Sequence, residues 1–314
     1  MPAVSIVMPA FNVAPYIGEA IDSVIAQTFT DFELFVIDDG STDDTRSIAE
    51  RYARTDRRIR VLCKPNGGIS SARNFGLQAA TGGLIALLDS DDIWLPGYLQ
   101  AQSGILDAHP EVDVLTANAW FLGSQLDGRP ARPWPDSRAA PDLAHMLADE
   151  EAIFVMCIFR RKVYEAIGGF DESMRTNEDY DYWLRAAVAG FTFYRNDEPL
   201  GRYRRRDDSL SASEVRMVRG ILRVFEKLRP ALLNRPGELA ILDSQVSRFE
   251  TARLRAEIRH ALANGDGVGA RPHLAALYHR RGGAVLGLAR LMARWTPRLL
   301  TKAYQMRRFR QVTS

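Results

Sequence analysis

The sequence predicts an α/β protein: a mostly parallel, twisted sheet with helices on both faces. Two observations carry this. From Val4 to Leu88, strand-like runs alternate with helix-spaced runs. The strands are nearly unbroken apolar stretches rather than one-sided alternations, as expected of a sheet covered on both faces. A consequence concerns function, because ligands of such sheets bind beyond the carboxyl ends of the strands. There the chain places Asn12, Asp38, Asp39, Asn66 and the run Asp89 to Asp92. Four separate polar motifs are therefore expected on one rim.

The elements follow in order. Val4 to Met8 is a first strand ending at Pro9, Ala10, Phe11 and Asn12. Ile17, Ala20, Ile21, Val24 and Ile25 recur at helical spacing, with Pro15 near the start. Phe32 to Ile37 is a second strand; Asp38 to Asp43 is a turn, and a helix follows through Ile48 and Tyr52 with Ser41 or Thr42 as its N-cap. Ile59 to Cys63 is a third strand, leading through Asn66, Gly67 and Gly68 into a helix that holds Ala72, Arg73, Leu77 and Ala80. Leu84 to Leu88 is the fourth.

That fourth strand stops abruptly in Asp89, Ser90, Asp91 and Asp92. Carboxylates crowded at one strand end repel one another unless a cation joins them, and Mg²⁺ or Mn²⁺ favours a shell of carboxylate, water and phosphate oxygens. The plain alternative is that Asp91 or Asp92 only starts the turn before a helix opened by Pro96.

Composition sets the outer bounds. The 314 residues are 46% hydrophobic and 25% charged, enough for one large or two modest cores without staples. Lys plus Arg number 41 against 39 Asp plus Glu, a formal charge of +2, so no nucleic-acid partner is expected. The charge is uneven: Arg290, Arg294, Arg298, Lys302, Arg307, Arg308 and Arg310 meet no carboxylate. Cys63 and Cys157 sit in apolar runs and suggest reduced, buried thiols in a cytoplasmic protein. No signal peptide or membrane span is read, since Val4 to Met8 is short and Gly282 to Leu291 is cut by arginines.

Taken together, Pro9-Ala10-Phe11-Asn12, Asp38 to Asp43, Asn66-Gly67-Gly68 with Ser71 to Asn74, and Leu88 to Asp92 resemble the family 2 glycosyltransferases, inverting enzymes of the GT-A fold. The resemblance covers roughly residues 3 to 210, and several motifs in order are far more specific than one. It implies a catalytic domain over 1–212 and leaves 213–314 as a helical C-terminal region with a basic, amphipathic end. It also implies roles. Pro9, Ala10 and Phe11 would line the nucleotide pocket, and Asp39 would accept from the base. Arg73 would reach the nucleotide or its phosphates, Asp89 the ribose with Ser90 beside it, and Asp91 a divalent cation, Mn²⁺ or Mg²⁺, that bridges the diphosphate. Asp38 is expected to be structural, a turn residue.

In the middle, Val112 to Phe121 is a strand and Gly123 to Pro141 a Gly- and Pro-rich loop, where Trp134 lies near the acceptor or covers the core. Ile153 to Phe159 is a strand, Arg160 to Ile167 a short helix, and Asn177 to Arg185 opens an acidic helix. Helix-dipole capping would need only one of those acids. By the resemblance, Glu178 and Asp179 look like the family's acidic pair, with Asp179 the general base and Glu178 and Trp183 on the acceptor side. Phe191 to Tyr194 and Leu200 to Arg204 are the last strands. Many relatives carry histidine where Arg206 stands; arginine is a poor metal ligand but pairs with a diphosphate.

Beyond Ser211, helices are expected around Met217 to Leu228, Leu239 to Leu262 and Pro272 to Tyr278. Residues 284–310 mix apolar side chains with arginines, as a helix lying on a membrane surface would, or as a helix packed on the domain with its cations in water. The reading is a metal-dependent transfer of sugar, with inversion, from a nucleoside diphosphate sugar, UDP-sugar favoured, to a hydroxyl of a glycan or glycolipid in polysaccharide assembly. It places the protein in the cytoplasm, with the inner face of the membrane as its place if the 284–310 segment binds lipid. The rivals are a sugar nucleotidylyltransferase, against which Pro9 to Pro15 contains no glycine for a triphosphate loop, and a noncatalytic nucleotide- or glycan-binding protein of the same fold.

Overall fold

The structure, a computed structural model, describes residues 1–123, 126–132, 140–153, 156–206 and 213–313, with side chains through 306. Trp134 lies outside the described residues. The chain divides into two compact units, Met1–Ala212 with Pro230–Glu238, and Ser213–Arg229 with Leu239–Ser314.

In the first unit the strands are β1 (Val4–Ala10), β2 (Phe32–Asp38), β3 (Ile59–Cys63), β4 (Leu84–Leu87), β5 (Ile93–Trp94), β6 (Val114–Leu122), β7 (Cys157–Arg160) and β8 (Phe193–Arg204). They form one sheet in the order β3-β2-β1-β4-β7-β6-β8-β5. The half from β3 to β4 is parallel throughout, as the strand–helix alternation requires. Past β4 the sheet is mixed: β7 runs antiparallel to both β4 and β6, β6 and β8 are parallel, and β5 is an antiparallel edge. The helices are α1 (Ile17–Ile25), α2 (Thr45–Thr55), α3 (Ile69–Ala79), α4 (Tyr98–Ala108), α5 (Leu143–Ala148), α6 (Arg161–Ile167) and α7 (Glu178–Val188). Every residue of β1 is buried, which is why its sequence shows no alternation. Its Ile6 and Met8 join α1 residues Ile17, Ile21 and Val24 in one core. On the other face α3 lies so close that a Cβ on Gly76 would fall 2.5 Å from Val7. Only glycine lets that helix seat on the sheet.

Several expectations need correction. The two last strands are one, β8, because a register shift opposite Ala117 to Ala119 absorbs the polar Asn196–Pro199 stretch that reads as a turn. Cys157 is buried, but Cys63 is exposed, β3 being the edge of the sheet. Ser41 and Thr42 do not cap α2, which starts later, at Thr45; Asp43 Oδ1 accepts from the Thr45 amide at 3.0 Å instead.

The second unit is helical: α8 (Glu214–Leu228), α9 (Pro236–Ala263, whose first residues belong to the first unit), α10 (Ala270–Arg281), α11 (Ala284–Trp295) and α12 (Pro297–Thr313). Phe225 of α8 meets Phe249 of α9 with ring centroids 5.8 Å apart. Leu254, Ile258, Leu262, Leu274, Leu277 and Ala293 build a small core, with Leu286, Ala289 and Leu300 packed against it. The 284–310 segment is thus two helices, broken at Thr296 because Pro297 cannot donate into a continuing helix. No helix among the described residues is long and apolar enough to cross a membrane.

Candidate functional site

The loops after β1, β2 and β3 are laced together by the polar residues that mark them. Asn12, in the left-handed conformation at φ 52°, accepts at Oδ1 from the Thr42 amide (2.8 Å), and its own amide donates to Ser41 Oγ (3.1 Å). Val13 donates to Thr45 Oγ1 at 2.8 Å, and Asp38 Oδ1 accepts from the Ser41 amide at 3.1 Å. Ser41 and Thr42 therefore tie the first loop to the second.

Asp39 anchors the third loop. Its carboxylate accepts from Lys64 Nζ (2.6 Å) and from the Gly67 and Gly68 amides (2.9 and 2.8 Å), while its carbonyl accepts from Asn66 Nδ2 at 2.9 Å. A carboxylate offers about four acceptor directions, so one remains for a ligand donor. Lys64 is a partner that sequence reasoning missed; its position directly after β3 was the available signal. Pro9 and Ala10 are buried in β1 beside Ile37 and Asp38. Phe11, by contrast, is 47% exposed.

At the end of β4, each acid has a different environment. Asp92 is buried and accepts from the Arg204 amide at 2.8 Å, so it holds β8 in place. Ser90 is buried beside it. Asp91 is partly exposed, its Oδ2 3.3 Å from Arg206 Nη1. Burial and the neighbouring Asp89 push its carboxyl up to about 6, against the opposing pull of Arg206. Arg204, a second missed residue, donates from Nε to the Asp91 carbonyl at 2.9 Å. The Arg204 and Arg206 guanidinium groups lie over the Tyr16 ring at 4.9 and 4.8 Å.

Arg73 links this strand end to α7. It is neither solvated nor directed only at a donor: it is 1% exposed, and donates from Nη2 to Asp89 Oδ1 (2.8 Å) and from Nη1 to Glu178 Oε1 (2.7 Å). Burial alone would favour the neutral guanidine, but Asp89, Glu178 and Asp179 together hold it firmly protonated. Its neighbour Asn74 exchanges two hydrogen bonds with Phe170, at 2.7 and 2.9 Å, and the Arg73 guanidinium stands 5.3 Å from the Phe170 ring. One turn of α3 therefore fixes the approach to α7. Asn177, left-handed at φ 58°, then turns the chain into the helix.

Asp179 is partly exposed, and its Oδ1 accepts from the Tyr180 amide at 2.8 Å. Desolvation raises the pKa values of both acids, Glu178 up to about 7, with Arg73 opposing and their mutual repulsion adding to the rise in Glu178. One cation among three carboxylates leaves the cluster holding a proton near neutrality. Trp183, expected on the acceptor side, is instead 2% exposed. Its ring meets Tyr182, Phe159 and Phe193 edge-on, with centroids 5.0, 5.5 and 6.4 Å away, so it packs α7 on the sheet.

The residues fit a divalent cation. Asp89 and Asp91 are oxygen donors on one strand end, and burial, with the charge of Asp89 added, raises the Asp91 carboxyl by more than Arg206 offsets. Mg²⁺ and Mn²⁺ commonly take one or two carboxylates and complete their shell with phosphate and water. Among the described residues no cluster of three or more His, Cys, Asp or Glu is placed to hold a metal.

Known proteins share this chain's sequence pattern and fold. EpsJ of Bacillus subtilis, an uncharacterized glycosyltransferase, is 33% identical over 224 residues, covering 67% of this chain and 63% of its own length. The chain thus spans somewhat under two thirds of that curated relative. Staphylococcus aureus TarS, solved as residues 1–349 with UDP-GlcNAc, superposes with a TM-score of 0.65 over 96% of this chain and 91% of that one, at 21% identity. The mannosyltransferase PcManGT of Pyrobaculum calidifontis, solved with GDP-Man and Mn²⁺, gives 0.63 over 97% and 85%, also at 21% identity. The fold is GT-A, with a helical region following it. The model of glycosyl transferase family 2 matches residues 5–168, more than half of the chain. The chain belongs to glycosyl transferase family 2.

Proposed function

We propose that the protein transfers a sugar, with inversion, from a nucleoside diphosphate sugar, UDP-sugar favoured, to a hydroxyl of a glycan or glycolipid in envelope polysaccharide assembly. The observation that supports this most is the Asp89–Arg73–Glu178 bridge, which joins one β4 acid to Glu178, the residue before Asp179, through the buried Arg73 guanidinium. A donor-side acid and an acceptor-side acid are then held by a single guanidinium.

In this reading Phe11 packs against the base, the remaining acceptor direction of Asp39 takes a base N–H, and Asp89 faces the ribose with Ser90 beneath it. Asp91, with Asp89 near it, would hold Mn²⁺ or Mg²⁺, which neutralises charge developing on the departing diphosphate. Arg206, already beside Asp91, pairs with diphosphate oxygen as the leaving group forms. Asp179 removes the acceptor hydroxyl proton; that oxygen attacks the anomeric carbon as the bond to diphosphate oxygen breaks, and one displacement inverts the centre. Its raised pKa makes Asp179 a stronger base than an ordinary carboxylate. Glu178 orients Arg73 and, by taking the cluster's proton, leaves Asp179 free to ionise.

Calorimetric titration with UDP, GDP and TDP, in Mn²⁺ and then in EDTA, tests the donor half. Metal-dependent binding of UDP is expected. Absence of binding by every nucleotide would remove the donor site, and nucleotide binding without sugar transfer to any acceptor would favour the noncatalytic alternative.

A further inference from the structure

On α11, Leu286, Ala289 and Ala293 pack into the core of the second unit. The opposite side carries Val285 (82% exposed), Leu288 (61%), Leu291 (56%) and Trp295 (72%), and Leu299 of α12 follows at 59%. At 100° per residue these α11 positions share one face about 120° wide. Helices of a water-soluble surface seldom expose such a stripe, and a Trp at its end suits a boundary between apolar and polar phases. Cations flank it. Arg294, whose guanidinium sits 5.1 Å from the Trp295 ring, Arg298 and Lys302 are all exposed. After Asp266 the sequence contains no Asp or Glu at all.

We propose that this face of α11, with the start of α12, docks on an anionic lipid bilayer. The charge decides the occupant. A second copy seated on the same face would bring its own arginines against these, with no Asp or Glu in α11 or α12 of either copy to answer them. A surface of anionic headgroups over hydrocarbon complements both features: side chains from Val285 to Trp295 enter the acyl boundary, and Arg294, Arg298 and Lys302 pair with phosphates. Transfer to a lipid-linked acceptor would gain from such docking, but the docking does not depend on the sugar donor.

The test is co-sedimentation of the full chain with vesicles of phosphatidylcholine alone and of phosphatidylcholine with phosphatidylglycerol. Binding to the anionic vesicles only, weakened by salt, is expected. The double variants Leu288→Ser with Trp295→Ser, and Arg294→Glu with Arg298→Glu, should each lower it by about tenfold or more. All four side chains are exposed, so folding is retained, and unchanged nucleotide titration of each variant confirms it. Three results would overturn the proposal: protein remaining in the supernatant, binding indifferent to both variants, or a dimer in light scattering that the Leu288/Trp295 variant abolishes. None of these bears on the donor site.

Discussion

Replacing Arg73 by methionine tests the electrostatic logic of the site. Arg73 sets its guanidinium between Asp89 and Glu178, at 2.8 and 2.7 Å, with Asp179 close enough to act on it. Removing one partner of a buried pair costs ~3–5 kcal/mol because the other charges are left uncompensated. The cluster can escape only by binding another proton. Protonating a carboxyl of ordinary pKa near 4.3 costs about 1.4 kcal/mol for each pH unit above it, or about 5 kcal/mol at pH 8 and about 2.3 at pH 6. The two routes agree at pH 8, and the loss should shrink by roughly 2.7 kcal/mol on going to pH 6.

The direction can be checked in the unmutated protein. Glu178 is raised from 4.5 to about 7, so the folded state holds more protons than the unfolded chain between those values. Stability from this group is therefore greatest below pH 4.5 and declines as pH rises through that window. Urea denaturation at pH 6 and pH 8, followed by tryptophan emission in a Trp295→Phe background, reads the first unit alone, since the remaining Trp94, Trp120, Trp134 and Trp183 all precede residue 213. A loss of stability that is the same at both pH values, or no loss at all, would refute the ion-pair account of Arg73.

Other expectations are simpler to read. Asp179→Asn should lower turnover by about two to four orders of magnitude with donor affinity kept; ordinary turnover removes the residue from the base role. Asp91→Ala should abolish the metal-dependent part of donor binding, and equal binding with and without EDTA would exclude Asp91 as a ligand. Because the Asp91 carboxyl stands at about 6, Mn²⁺-supported donor affinity should fall as pH drops through 6; a flat profile from pH 5 to 7.5 contradicts this. Trp183→Ala should cost ~3–5 kcal/mol of stability as a core truncation, whereas a selective rise in acceptor KM with stability intact would return Trp183 to the acceptor site.

The parallel half of the sheet and its polar rim were legible because each unit announces itself locally. An unbroken apolar strand, a turn with Asn, Asp or Gly, and a helix-spaced run need only neighbouring residues to specify them. The acids at Asp89 to Asp92 and at Glu178 and Asp179 were visible as clusters, but a turn or a helix cap would explain them equally, and only the family resemblance attached roles to them. Burial and pairing were not legible, because they depend on residues far apart in the chain. Arg73 meets Glu178 across 105 residues and Arg204 meets Asp92 across 112, and no periodicity encodes either contact. Nor does a tryptophan inside an acidic helix declare whether it faces a ligand or a core; the rings of Phe159 on β7 and Phe193 on β8 are what pack against Trp183. The mixed half of the sheet was hidden for the same reason, since strand direction past β4 follows from which partners are free to pair. The sequence by itself determined which residues could do chemistry and the order in which they appear. The tertiary structure decided which of those charges neutralise each other, because charge compensation is a property of distance in space.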